Sequence, residues 1–162
     1  MAQAKISDMY CIDTSSLVNL KSYPADVFPS VWELLGKLVK ADQLISPLEV
    51  YNEIKQYAVY DEIKNWCIRN ERVFKGDTSM PSDLLKNFKR VEREYDPDYW
   101  KNENNKLKPW ADPWVVTLAL SYKAIVINEE RESPNRIQFI AKKVGLKSLN
   151  LLDFFRELGL KT

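Results

Sequence analysis

The stretch Tyr10-Cys11-Ile12-Asp13-Thr14-Ser15-Ser16 decides the fold. Met9 to Ile12 is a short apolar run that ends in a carboxylate. Three small hydroxyl residues follow, and Leu17, Val18 and Leu20 resume an apolar pattern. Such a run, bounded by a polar turn, predicts a buried strand. Thr14, Ser15 and Ser16 are each able to cap a helix N-terminus. The prediction is strand, Asp13 at its carboxyl end, then helix. In open α/β sheets the ligand crevice lies outside the carboxyl ends of the strands.

Working outward, Val27 to Val39 places Val27, Val31, Leu34, Leu35 and Leu38 at helical spacing. Leu44-Ile45 predicts a second strand. Ser46-Pro47-Leu48-Glu49 predicts a capping box opening a helix through Val50, Tyr51, Ile54, Tyr57 and Ala58. Another helix is expected over Tyr60 to Asn70, then an edge strand at Val73-Phe74. Pro81 to Tyr95 is amphipathic, with Leu84, Leu85, Phe88, Val91 and Tyr95 inward and a basic stripe of Lys86, Lys89, Arg90 and Arg93. Asp96 to Ala111 reads as a long loop carrying Tyr99, Trp100 and Trp110.

Asp112-Pro113 opens a helix, and Ala124 to Ile127 is an apolar strand ending in Asn128-Glu129-Glu130. Ser133-Pro134 is expected to start a helix stopped by Gly145. A strand near Ser148-Leu149 leads into a last helix, Leu151 to Leu158, stopped by Gly159. Strands alternating with helices predict one α/β domain over 1–162, three-layered α/β/α, around a parallel sheet of about four to five strands.

Composition narrows the chemistry. The chain contains no histidine, which removes Ser-His-Asp and Cys-His catalysis and the usual histidine zinc sites. A hydrolase of this composition works through carboxylates, and carboxylates hold hard, oxygen-preferring cations. Net charge is +1, so no global basic field advertises nucleic acid, and any such contact is local. Cys11 and Cys67 read as reduced core thiols, as in a cytoplasmic protein. No run resembles a signal peptide or approaches a membrane span, so no membrane partner is expected.

Four acids lie where predicted strand ends and their helices meet: Asp13, Glu53, Asp112 and Glu129. Each has a plainer role open to it. Asp13 and Asp112 are good helix caps, and Glu49 is the capping-box partner. Glu53 falls at the margin of its helix's apolar arc, about 40° outside Tyr57. Glu129 is nearest its strand end among Glu129, Glu130 and Glu132, a cluster of the kind solvent usually covers; Glu132 is the substitute. The basic stripe is an ordinary solvated face unless the neighbouring aromatics stack unpaired bases.

The same residues resemble the PIN-domain family of metal-dependent nucleases. Tyr10 to Leu17 matches its first motif, Ile45-Ser46-Pro47 to Glu53-Ile54 the second, Ala111-Asp112-Pro113 to Thr117-Leu118-Ala119 the third, and Ala124 to Glu129 the fourth. In the fourth, Ile127 and Glu129 stand where the family usually has Thr and Asp. The resemblance implies a PIN-like fold and a Mg²⁺- or Mn²⁺-dependent endoribonuclease leaving 5′-phosphate products. It implies that Asp13, Glu53, Asp112 and Glu129 are its catalytic and metal-ligating residues. It further implies a toxin of a toxin–antitoxin pair, with an antitoxin partner and a homodimer. The alternative is a catalytically inactive PIN-like module that binds RNA or protein. Aspartyl-phosphate chemistry is disfavoured because Ser15 stands where a second Asp belongs. A dinucleotide fold is disfavoured because none of the four glycines forms G-x-G-x-x-G.

Overall fold

A computed structural model of the protein describes residues 8–56, 61–76 and 81–160. Among them five short strands form one parallel sheet. They are β1 (Tyr10–Ile12), β2 (Leu44–Pro47), β3 (Phe74–Lys75), β4 (Ile125–Ile127) and β5 (Ser148–Leu149), in the order β3-β2-β1-β4-β5. Helices complete a three-layer α/β/α arrangement. The chain steps outward from β1 through β2 to β3, then returns to the other side of β1 for β4 and β5. The order therefore reverses between β1 and β4, and a crevice opens at such a switch point. Register there is set by Tyr10 opposite Ile125, Cys11 opposite Val126 and Ile12 opposite Ile127.

β1 is fully buried, which explains its unbroken apolar run. Asp13 then caps α1 (Thr14–Asn19). α2 (Pro29–Lys40) begins at its proline, two residues after the expected Val27, which is left exposed. The expected capping box does not form. Pairing with β3 holds Ser46 and Pro47 in β2, and the Ser46 hydroxyl donates to Ile12 O (2.6 Å), tying two strand ends together. α3 (Leu48–Gln56) therefore starts at Leu48. The expected continuation through Tyr57 and Ala58, like the Tyr60 start of the next helix, lies outside the described residues. α4 (Asp61–Arg69) and a 3₁₀ turn lead to β3 at the sheet edge.

α5 (Leu84–Glu92) buries Val91 and half-buries Phe88, but Leu85, expected inward, is exposed. The expected loop from Asp96 to Ala111 contains a helix, α6 (Pro97–Asn105). Asp96 caps it by accepting from Asp98 N (2.9 Å) and Tyr99 N (3.2 Å), and Pro97 fills its first turn. Its few apolar residues gave no periodicity to read. They join an aromatic cluster instead: Tyr95 lies 5.2 Å from Trp100 and 5.5 Å from Trp110, and Phe88 stacks on Trp114 at 4.3 Å.

α7 (Asp112–Tyr122) is the central helix. It packs on α5, β1, β2 and β4, and Val115, Val116, Leu118 and Ala119 are all fully buried. A helix with apolar residues all round belongs in a core. α8 (Ile137–Lys143) begins three residues beyond Pro134, because residues 133–136 form a turn closed by Arg136 N to Ser133 O (3.0 Å). α9 (Leu151–Glu157) follows β5 and seats Phe154 against Tyr10, ring centroids 5.0 Å apart. Cys11 and Cys67 are both buried and free. Among the described residues, no helix is long and apolar enough to cross a membrane.

Candidate metal centre

The switch point gathers acids from three remote parts of the chain. One carboxylate oxygen from each of Asp13, Asp112 and Glu130 lies within 4.8 Å of the others. Asp13 is there because β1 ends beside β4: Asp13 N donates to Ile127 O (2.9 Å). Its carboxylate is divided between two duties. Oδ2 accepts from the Ser15 hydroxyl (2.8 Å) and Ser15 N (3.3 Å), which caps α1. Oδ1 is buried with no hydrogen-bond partner. Capping and an inward-facing free oxygen are therefore compatible in one side chain.

Asp112 is not the helix cap its sequence suggested. Ala111 holds that position, Asp112 is the first helical residue, and Pro113 follows in the first turn. The Asp112 carboxylate is thus spared from capping α7 and turns toward Asp13 and Glu130.

Glu53 lies on the buried face of α3 with Val50 and Ile54. Both its oxygens are engaged: Oε1 accepts from the Thr14 hydroxyl and Oε2 from Ala111 N (3.0 Å). It braces the start of α1 against the start of α7, beside the close trio of acids.

Glu129 and Glu130 exchange the places the sequence suggested. Asn128 Oδ1 accepts from Glu130 N (3.1 Å), an Asx turn that reverses the chain at the end of β4. Glu129 N donates to the Ser15 hydroxyl (3.0 Å), but the Glu129 carboxylate points away and accepts from Leu151 N (2.6 Å) at the start of α9. Glu130 joins Asp13 and Asp112 instead, while also accepting from Ile137 N (3.4 Å) and lying 4.0 Å from Arg136. Distance from the strand end favoured Glu129; the Asn128 turn was the signal for Glu130. Glu132 pairs with Lys142 on the surface. Glu129→Ala should weaken the protein by about 1 kcal/mol through the lost helix-terminus contact, measured by urea unfolding. Its cation affinity should match wild type; a large loss of affinity would return Glu129 to the centre.

The electrostatics are those of an anionic hollow without an internal counter-charge equal to it. Burial, then the Glu130 charge and to a smaller degree Glu53, pushes Asp13 up to about 7, against the pull of its Ser15 hydrogen bond. Burial followed by the charges of Asp13, Glu130 and Glu53 holds Asp112 well above the usual carboxylate range; Arg136 offsets part of this. Burial raises Glu53 as well, with its Thr14 and Ala111 hydrogen bonds opposing. Hard carboxylate oxygens, one of them buried without a partner, fit a divalent cation such as Mg²⁺ or Mn²⁺. Asp13, Asp112 and Glu130 are the residues placed to hold it.

One depression lies over the acids and another lies on the far side of the aromatic cluster's Tyr95 and Trp100. A groove of about 330 Å³ over Asp112 and Glu130 carries the cations Lys106, Lys108 and Arg136 with Trp110. A second, about 780 Å³, is lined by Lys89, Arg93 and Trp100, so part of the predicted basic stripe does meet an aromatic. Tyr95 forms a wall of that hollow. Its own hydroxyl is buried, has no hydrogen-bond partner, and lies in the field of Asp112, Glu130 and Asp13.

The model of a family described as a domain of unknown function (DUF4411) matches residues 10–162. No curated protein matches the chain.

Proposed function

The chain belongs to the DUF4411 family, and because that description names no activity, we propose a function from the acidic centre itself: a Mg²⁺- or Mn²⁺-dependent endoribonuclease of the PIN type. The observation that carries the proposal is the Asp13 Oδ1 atom, buried without a partner inside a trio of carboxylates. Burying such charges together is costly, and a cation removes the cost. A divalent ion supplies an acidified water and offsets the charge that develops on a phosphodiester during hydrolysis.

The protein's own groups divide the remaining work. Asp13, Asp112 and Glu130 furnish the oxygen ligands. Ser15 fixes the Asp13 carboxylate through its hydroxyl and also receives the Glu129 amide, so β1 and β4 present their acids in one orientation. Glu53 keeps α1 and α7 at constant separation. Lys106, Lys108 and Arg136 face the groove where phosphates of a bound strand would run, and Trp100 with Lys89 and Arg93 suits a neighbouring unpaired base. A toxin's role, a small antitoxin partner and a homodimer belong to the same proposal and rest on the family resemblance alone.

The test is incubation of the purified protein with single-stranded and structured RNAs, with Mg²⁺, Mn²⁺ or EDTA. Cleavage to 5′-phosphate ends is expected with either cation and none with EDTA. RNA that stays intact with both cations, or is cut equally in EDTA, defeats the proposal.

A further inference from the structure

Tyr95 raises a separate question, because a tyrosine hydroxyl is ordinarily paired when buried. This side chain is only 4% exposed, and its hydroxyl has neither a protein partner nor access to solvent. The ring is well explained. It lies nearly parallel to Tyr99, edge-on to Trp100 and Trp110, and closes the end of α5 against the aromatic cluster. Phenylalanine would serve that packing equally well and would spare the desolvation of an unpaired O–H, a cost of roughly a factor of ten in stability or more. The Tyr10 hydroxyl is buried and unpaired too, but its charged neighbours are Asp8 and Glu157, whereas those of Tyr95 include all three acids of the centre, so Tyr95 is the one placed to take a partner there.

The rings that Tyr95 packs on, Tyr99 and Trp110, line the groove over Asp112 and Glu130, and the third acid of that centre, Asp13, also has an unpartnered oxygen, Oδ1. The charges that act on Tyr95 are, beyond Tyr99, those of Asp112, Glu130 and Asp13, the trio of the centre. One group is a donor without an acceptor and the other an acceptor without a donor, yet they are not bonded to each other. Something that both accepts and donates, or that binds carboxylates while carrying acceptors, would satisfy both. A bare cation satisfies only Asp13. A hydrated cation satisfies both, because its water oxygens accept from Tyr95 while the ion meets the carboxylates.

We propose that Tyr95 is a positioning residue of the centre: its hydroxyl donates to a water of a hydrated divalent cation held by Asp13, Asp112 and Glu130. The proposal rests on the reading of these acids as a cation site, and it adds a contact from the segment between α5 and α6, which contributes none of them. Tyr95 would orient that water and so link cation binding to the aromatic hollow on the other side of its ring. RNA seated against Trp100 would then press on the residue that orients the water.

The test compares wild type with Tyr95→Phe in the full chain, with Mn²⁺ as probe, by calorimetric titration and thermal unfolding. Without cation, Tyr95→Phe should unfold at the same temperature or higher, since it loses only an unpaired hydroxyl. With Mn²⁺, its dissociation constant should rise about 10-fold and its thermal shift shrink, as for other partners that orient a ligand of a metal. A lower unfolding temperature without cation means that the hydroxyl has a protein partner, and overturns the proposal. So does an unchanged Mn²⁺ affinity, and so does wild type that binds no Mn²⁺. Cleavage plays no part in this readout: wild type that binds Mn²⁺ but cuts no RNA defeats the nuclease proposal alone, and affinity still decides the role of Tyr95.

Discussion

Asp13→Asn should make the cation-free protein more stable at pH 8 while abolishing the Mg²⁺ binding proposed for the acidic trio. The native Asp13 carboxyl is pushed up to about 7, from an ordinary value of 3.8, chiefly by burial and by Glu130. The unfolded chain therefore releases this proton at lower pH than the folded one. Stability from the protonated form is fully present below about pH 4, declines between about 4 and 7, and is gone above about 7. Three units at 1.36 kcal/mol each put the loss at up to ~4 kcal/mol. Asparagine never acquires the charge, and its carbonyl can still accept from Ser15. The variant should match wild type near pH 4 and exceed it by ~2–4 kcal/mol at pH 8, measured by urea unfolding across that range. Added Mn²⁺ should stabilise wild type strongly at pH 8 and the variant hardly at all. RNA cleavage should fall by at least ~100-fold, the scale of losing several kcal/mol of metal assistance. Stability curves that run parallel from pH 4 to 8 would show that Asp13 is an ordinary solvated acid.

The second large effect concerns Glu53, where two substitutions separate bracing from ligation. Glu53→Ala removes acceptors from the Thr14 hydroxyl and from the Ala111 amide at the entrance to α7. A buried amide left unpaired costs about 1–3 kcal/mol, and the vacated space adds to it. Relief of repulsion from its acidic neighbours gives part of this back, so the net loss should be ~2–3 kcal/mol by urea unfolding. Glutamine can preserve both links: its carbonyl accepts from Ala111 N, and its amide donates to Thr14 once that hydroxyl rotates. Glu53→Gln should therefore stay within ~1 kcal/mol of wild type and keep Mn²⁺ affinity within about 10-fold. A much greater loss of affinity in the glutamine variant would make Glu53 a ligand in its own right.

The fold was legible wherever burial was one-sided or complete. β1 and β4 read correctly because both are apolar runs that end abruptly in polar residues, and α7 because its interior is apolar but for Thr117, whose hydroxyl donates to Pro113 O one turn back. Three features were hidden for different physical reasons. α6 depends on its cap and on aromatic contacts of Trp100 with Phe88 of α5 and with Tyr95, neither of which has a period. Ser46 fits a local capping motif, but Ile12 O offers its hydroxyl a partner from another strand. Glu130 displaced Glu129 because one side-chain turn at Asn128 redirects the chain after β4. Asp13 and Asp112 were legible as neighbours because both sit at ends of elements whose order fixes their position. The Tyr95 hydroxyl was not, since an inward aromatic satisfies the helical pattern whichever atom lies at its tip.

The reversal of strand order between β1 and β4 has a consequence for synthesis. Asp13 leaves the ribosome more than a hundred residues ahead of Glu130, and its nearest neighbour in the sheet, β4, is among the last strands made. Until β4 docks, Asp13 remains in water, where its charge costs nothing and an ion has no cage to enter. The charge penalty at Asp13 therefore falls late in assembly, once β4 is in place beside β1.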